Sequence, residues 1–320
     1  MPQPGHAQLA AIVARAMPGA QLAQSAERGD GRFTLTLADG SLLDAQTYAE
    51  PAAAQRAVAA LQLLRGEVDL AVPQLRALDP QGSTGVAYTL ADPLPGEPLL
   101  RVLPQLNDDA CYRLGRQLGE IVYRIHRMAA GRYGTLTNTR NAAADERTYV
   151  LQRLDAELPR AVAARRLSAV DAAVVRGRFD RRFLPVGSTP ALICGAITPT
   201  SVLVQRVGSG WQIGGLVRWD AALGWCPAWE HVTFSHAFGD AAMFSLRVGY
   251  GNAYDELTKR AYEQVREHAL RPYSALLTVD HLLSRATTDL ARRQRLLLSL
   301  TAIMDQEYAP PDDMNLATTA

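Results

Sequence analysis

The chain has 320 residues, of which 48% are hydrophobic, 20% charged and 7% aromatic, a composition typical of a globular protein with one large or two modest domains. Its 33 lysines and arginines against 32 aspartates and glutamates leave a formal net charge of +1. This balance excludes a global electrostatic field that could hold a polyanion or an acidic membrane surface. We therefore expect neither a nucleic acid nor a membrane as partner.

The cysteines and lysines of the chain limit which kinds of site and mechanism it can have. Cys111, Cys194 and Cys226 are widely spaced and form no C-x-x-C pair, which favours neither a disulfide framework nor a structural zinc site. With no basic leader and no long apolar run, the sequence predicts a cytoplasmic protein. Lys259 is the only lysine, so a mechanism that needs a lysine earlier in the chain is excluded.

The first part of the chain predicts a small mixed domain. Residues 8–17 are rich in helix formers, and residues 31–48 alternate apolar and polar side chains around an Asp39-Gly40 turn, which predicts a β-hairpin. A helix is predicted from Pro51 to Gly66. Two segments, 68–79 and 85–99, each predict a short strand. The second of them ends in a Pro/Gly-rich linker at 93–98.

The second part is predicted to be mainly helical. Apolar residues recur at helical spacing within 114–128, and 145–183 reads as a helical hairpin that turns near Pro159 or Leu167-Ser168. Two apolar β-type runs follow, at 191–204 and 211–220. Residues 237–304 are predicted to be helical, and residues 308–320 are predicted to form a disordered tail.

Residues 191–230 read ALICGAITPTSVLVQRVGSGWQIGGLVRWDAALGWCPAWE. This segment resembles the aminoglycoside phosphotransferase and choline-kinase-like family, whose members show an H-G-D-x-x-x-x-N catalytic loop, an I-D-W-E metal-binding turn and a G-x-P-x-x-D element. The matching residues are Gly195, Pro199, Val202, Leu203, Val204, Gly215, Trp219, Pro227, Ala228 and Trp229. Residues 88–99, 114–128 and 244–251 extend the resemblance over most of the chain.

The resemblance implies an α+β, two-lobe protein-kinase-like fold with a small β-rich N-lobe and a larger, mainly helical C-lobe. The N-lobe would span 1–92, the linker 93–98 and the C-lobe 99–307. Within the C-lobe, the catalytic loop would fall at 191–204 and the metal-binding turn at 213–230.

The chain departs from the family at the positions that carry chemistry. Phosphoryl transfer of this type needs a carboxylate base, oxygen ligands for magnesium and a lysine on the phosphates. The aligned positions hold Ala196 for the catalytic aspartate, Ser201 for the asparagine ligand, Arg218 for the metal-binding aspartate and Cys194 for the loop histidine. In the N-lobe, Gln46 stands near the lysine position and Gln55 near its acidic partner, while Gly29-Asp30-Gly31 is a weak glycine-rich loop.

These departures predict a catalytically inactive homologue, a pseudokinase, that binds a small molecule or a protein partner. We expect no catalytic residue, no metal and no nucleotide cofactor. One alternative is an active small-molecule phosphotransferase that uses ATP or GTP with magnesium and holds the metal with Asp220. A second alternative is a scaffold whose cleft is filled by its own side chains and which acts through oligomerisation.

The candidate ligand-binding residues of the cleft are Arg218, Asp220, Ser201 and Gln46. Arg218 could bind a phosphate or carboxylate directly, or it could pair with Asp220 and plug the cleft. Both readings stay open at the level of sequence.

Several other side chains favour structural roles. His126 ends an apolar helix face and is predicted to be packed or hydrogen-bonded in the core, and Trp219 and Trp229 are predicted to pack behind the loop. The intervals between Cys226, His231 and His236 match no familiar metal-ligand spacing, so we expect no metal there. The arginine-rich stretches at 160–166, 176–182 and 292–295 are read as solvated helix faces.

Overall fold

A computed structural model describes residues 4–65, 71–137, 143–182, 189–258, 273–280 and 298. The predicted tail at 308–320 and much of the predicted helical run at 237–304 lie outside these residues. None of the described helices is long and apolar enough to cross a lipid bilayer.

The N-terminal part is built on a five-stranded antiparallel sheet in the order β1-β2-β3-β5-β4. Its strands are β1 Leu22–Gly29, β2 Arg32–Leu37, β3 Leu42–Tyr48, β4 Leu75–Asp79 and β5 Ala87–Ala91. The hairpin predicted at 31–48 is confirmed as β2 and β3. Strand β1 was not predicted from the sequence, because this edge strand is mostly exposed and lacks an apolar alternation.

Two helices flank this sheet, α1 His6–Ala16 and α2 Pro51–Leu63. Alternation along β2 and β3 buries one set of side chains beneath α1, including Phe33, Leu35 and Leu43. The other set therefore points toward the rest of the chain, and it includes Arg32, Thr34, Asp44 and Gln46.

The C-terminal part begins within the last residues of the predicted linker and is mainly helical. Its elements are β6 Glu97–Pro98, α3 Leu99–Val102, α4 Asp108–His126, α5 Glu146–Ala163, α6 Ala169–Arg182, β7 Ala191–Ile193, β8 Val202–Val207, β9 Gly210–Leu216, β10 Leu223–Trp225, α7 Pro227–Ala237 and α8 Phe244–Thr258. Residues 273–280 are also helical. The molecule is thus an α+β fold with a β-rich N-terminal sheet and a helical C-terminal part.

Two small antiparallel sheets hold the segment that resembles the catalytic loop. Strand β8 lies between β6 and β9, and β7 pairs with β10. The apolar run predicted at 191–204 therefore consists of two strands, separated by a loop at 194–201. Because Glu97 pairs with Val204, the last residues of the predicted linker join the sheet beside this loop.

Helices form the remaining framework. The apolar face of α4 is buried together with α8 in the largest described core. The predicted helical hairpin turns at 164–168, between α5 and α6, so the Leu167-Ser168 alternative is the correct one and Pro159 lies inside α5.

Candidate functional site

A buried carboxylate, that of Glu230, holds the start of the loop at 194–201 through hydrogen bonds. Glu230, in the first turn of α7, is fully buried, and its two oxygens accept the backbone N–H groups of Cys194 at 2.9 Å and Gly195 at 2.8 Å. His126 lies 3.0 Å from Glu230 through Nε2 and 2.8 Å from the Tyr254 hydroxyl through Nδ1. The prediction of a hydrogen-bonded core histidine at 126 is thereby confirmed.

Gly195 is required by this geometry. Its φ is +77°, a conformation that side chains with a Cβ rarely adopt, and an added Cβ would lie 2.1 Å from the carbonyl oxygen of Ala221. Burial and the nearby Glu230 raise the pKa of the Cys194 thiol well above its ordinary value. The start of the loop is therefore dry, tightly packed and occupied by a neutral thiol.

Ser201 serves the loop itself. It is 1% exposed, and its Oγ accepts the Thr198 N–H at 2.8 Å. The same hydroxyl lies 3.1 Å from the carbonyl oxygens of Ala196 and Thr198, to one of which it donates. The hydrogen-bonding capacity of Ser201 is thus used within the loop, and the side chain of Ala196 is only a methyl group.

Arg218 links the C-terminal part to the β1–β2 turn. Its Nη1 lies 2.8 Å from the Asp30 carboxylate and its Nε lies 3.3 Å from that of Asp220. Both Arg218 and Asp30 have positive φ, at 73° and 53°. Burial lowers the pKa of Arg218, but Asp220 and Asp30 raise it by more, so the net pKa lies above its ordinary value. Arg218 does pair with Asp220, the contact that the second of its two readings predicts.

Neighbouring side chains tie the same region together. Gln46 donates through Nε2 to the carbonyl oxygens of Asp30 at 2.9 Å and Thr47 at 3.0 Å. Gln55, which was aligned with the acidic partner of this position, lies on α2 and takes part in neither of these two bonds. The adjacent Arg56 instead donates through Nε to the Asp220 carbonyl oxygen at 2.7 Å, so α2 contacts the 218–220 turn through a cation.

Three residues of this site were not predicted from the sequence. Glu230 had a usable signal, because it stands three residues after Pro227 at the acidic position of the G-x-P-x-x-D element. Asp30 lay in the weak glycine-rich turn, where no pattern indicated a partner for it. Arg56 had no signal at all, since an arginine on a helix predicts only a solvated side chain.

The space beneath the sheet at this point is small. A cavity of about 40 Å³ is lined by residues including Arg32, Gln46, Tyr48, Arg218 and Trp219. A single water molecule occupies about 30 Å³ in the liquid, whereas small-molecule sites span roughly 300–1,000 Å³. The region around Arg218 is therefore largely filled by the chain's own side chains.

The residues here do not fit a magnesium site. Magnesium requires near-octahedral oxygen ligation, but both carboxylates here, those of Asp30 and Asp220, are paired with the permanent positive charge of Arg218. No group of three or more His, Cys, Asp or Glu residues that could hold a metal ion occurs in the described part of the chain.

The predicted tryptophans have structural contacts. Trp219 is 3% exposed and donates to the Leu216 carbonyl oxygen at 3.1 Å, as expected for a residue packed behind the loop. Trp229 stacks on Trp225 with ring centroids 4.8 Å apart, and the Arg153 guanidinium lies over both rings. His231, one of the three residues considered for metal, hydrogen-bonds to the hydroxyl of Tyr250 at 2.8 Å.

The chain is similar in sequence to a known family of phosphotransferases. The model of a phosphotransferase enzyme family, APH, matches residues 22–268. The chain belongs to this family. No curated protein sequence matches the chain.

Solved structures of phosphotransferases have the same fold as this chain, at low sequence identity. The GDP complex of aminoglycoside 2'-phosphotransferase-IIIa is 17% identical with a TM-score of 0.62, covering 93% of this chain and 99% of that chain. Aminoglycoside phosphotransferase APH(4)-Ia is 13% identical with a TM-score of 0.62, covering 94% and 98%. Macrolide 2'-phosphotransferase MphH from Brachybacterium faecium is 20% identical with a TM-score of 0.57, covering 94% and 99%. These likenesses confirm the predicted kinase-like fold of the phosphotransferase family.

Proposed function

We propose that this phosphotransferase-family chain is catalytically inactive and acts by binding a small molecule or a protein partner. The observation that carries the proposal is Arg218, whose guanidinium stands at the metal-binding turn and is paired with Asp30 and Asp220 at 2.8 and 3.3 Å. A permanent cation held in this place opposes a bound magnesium ion.

The neighbouring positions support the same conclusion. Ala196 cannot accept a proton from a substrate hydroxyl, and loss of a general base costs about 10²–10⁴ in rate. Gln46 is neutral, and its side-chain amide binds the backbone of the β1–β2 turn and of β3 itself. Family kinases of this mechanism turn over at roughly 1–100 per second, so the combined losses would leave a negligible rate.

A small molecule is the favoured ligand over a protein. The similar structures are named as aminoglycoside and macrolide phosphotransferases, and these names indicate substrates of small-molecule size. The described residues also form a second, larger cavity beside the linker.

The test combines thermal unfolding with a transfer assay. Purified protein is heated with ATP or GTP, each with and without magnesium, and phosphate transfer is measured on the same samples. A ligand at 100 times its dissociation constant stabilises a protein by about 2.7 kcal/mol, and we expect no magnesium-dependent stabilisation and no transfer.

Two variants distinguish the alternatives. Magnesium-dependent transfer that Asp220→Ala abolishes and Arg218→Ala preserves would overturn the proposal in favour of an active enzyme. Assembly that changes with protein concentration, in a chain that no small molecule stabilises, would favour the scaffold.

A further inference from the structure

A cavity of about 370 Å³ lies between the sheet and the linker, next to the filled region around Arg218. One wall is polar and comes from β1, β2 and β3. The opposite wall is apolar and comes from the linker and β8. The lining residues that matter here are Arg28, Arg32, Thr34 and Asp44 on the polar wall, and Leu94, Pro95, Pro98 and Leu203 on the apolar wall.

The polar wall is a short hydrogen-bonded chain with cations at both ends. Arg28 donates through Nε to the Thr34 hydroxyl at 3.1 Å, and that hydroxyl donates to Asp44 at 3.1 Å. Asp44 lies 3.5 Å from the Arg32 guanidinium. This wall therefore carries two arginines and one carboxylate, which gives it a net positive charge.

Arg32 is a largely buried cation of this wall with donors to spare for a ligand. Its side chain is only 11% exposed, and among the described residues Asp44 is its one ion-pair partner, at a distance longer than a strong hydrogen bond. A guanidinium has five N–H donors. Burial lowers the pKa of Arg32, and Asp44 raises it, while the positive charges of Arg28 and Arg218 lower it further. The local charge thus favours an added anion.

We propose that this cavity binds a small molecule with an apolar body and a single anionic group, a carboxylate or a phosphate, held by Arg28 and Arg32 without a metal ion. The volume lies at the lower end of small-molecule sites. A chain of several phosphates does not fit, because the adjoining space, which Arg218 lines, measures only about 40 Å³. The inference rests on the proposed function, since it names the ligand class of the same cleft.

The experiment is isothermal titration calorimetry at low ionic strength with benzoate and with phenyl phosphate, and with neutral benzamide for comparison. We expect either anion, or both, to bind and benzamide not to bind. Arg28 is exposed, so Arg28→Gln should fold normally and weaken anion binding by about tenfold or more, the loss of a charge-assisted hydrogen bond. Arg206→Gln, an equally exposed arginine on β8 outside the cavity, is the matched control and should leave the affinity unchanged.

The outcomes separate the two hypotheses. Absence of binding by both anions, equal binding of benzamide, or binding that neither Arg28→Gln nor Arg32→Gln weakens would overturn the ligand class. The same protein is assayed with ATP and magnesium. Phosphate transfer in that assay would overturn the proposed function. Absence of anion binding without phosphate transfer would overturn only the ligand class and would leave the proposal of a catalytically inactive protein in place.

Discussion

Arg218 lies between two carboxylates, those of Asp30 and Asp220. The family resemblance implies a metal-binding carboxylate at this position, and this chain has a guanidinium there. Asp30 approaches from the N-terminal sheet and Asp220 from the same turn. The sequence predicted the loss of the metal ligand, but Asp30 lies 188 residues away from Arg218 along the chain, so no local pattern could indicate their contact.

Asp280 is a titrating residue whose environment opposes its charge. It lies in the 273–280 helix, 2.5 Å from Arg153. Burial raises the pKa of Asp280 from its ordinary 3.8 to about 6, although the Arg153 charge lowers it.

We predict that this carboxyl lowers the stability of the protein as pH rises from about 4 to about 6. The folded state holds the proton more tightly than the unfolded state, so the folded state binds more protons in this window and the free energy of unfolding falls as pH increases. The shift corresponds to at most about 3 kcal/mol. Urea unfolding at several pH values should show wild type losing this amount relative to Asp280→Asn.

The control for this prediction is Asp155→Asn, which removes a 57% exposed partner of Arg176. It should change the free energy of unfolding by less than about 1 kcal/mol throughout. If wild type instead gains stability relative to Asp280→Asn as pH rises, the attraction of Arg153 outweighs the effect of burial.

At the scale of elements, the contact between α4 and α8 depends on glycines. A Cβ at Gly249 would lie 2.1 Å from the Tyr112 carbonyl oxygen, and a Cβ at Gly115 would lie 2.0 Å from the Leu246 carbonyl oxygen. The two backbones therefore touch directly. The apolar spacing of α4 predicted a core-facing helix, but the identity of its partner helix depends on this close approach.

We predict that Gly249→Ala destabilises the protein by about 2 kcal/mol, because a methyl group would push apart two backbones that cannot move independently. Gly251→Ala on the same helix is the matched control, since its added Cβ meets nothing within 4 Å. That variant should be neutral or stabilising by about 0.5–1 kcal/mol. Denaturant unfolding of both variants provides the measurement, and equal effects would contradict the packing argument.

At the scale of the whole molecule, the Arg218–Asp30 pair joins the N-terminal sheet to the C-terminal part across the cleft. The side chains of Arg218 and Asp30 are 31% and 57% exposed. The pair should therefore add little to global stability but should restrain the β1–β2 turn.

We predict that Asp30→Asn speeds hydrogen exchange of the amides at 29–32 by up to about fivefold, while global stability changes by less than about 1 kcal/mol. Asparagine tolerates the positive φ at this position, so the backbone is not strained further. Asp39→Asn, in the β2–β3 turn, should leave exchange at 29–32 unchanged. Unaltered exchange in Asp30→Asn would show that Gln46 and the turn geometry hold the turn without the ion pair.

The sequence by itself determined the family resemblance, the fold class, the β2–β3 hairpin and the absence of a carboxylate at positions 196 and 218. These features depend on local periodicity, on turn residues and on the identity of single side chains, all of which are readable without coordinates. The same information left open whether Arg218 binds a ligand or plugs the cleft.

Only the tertiary structure decided which charges meet. The pairing of Arg218 with Asp30, the support of the loop by Glu230, the contact of Arg56 with the 218–220 turn and the arginine-lined cavity all join residues distant in sequence. Electrostatic and hydrogen-bond energies depend steeply on distance and burial, and these quantities are fixed by packing rather than by sequence order.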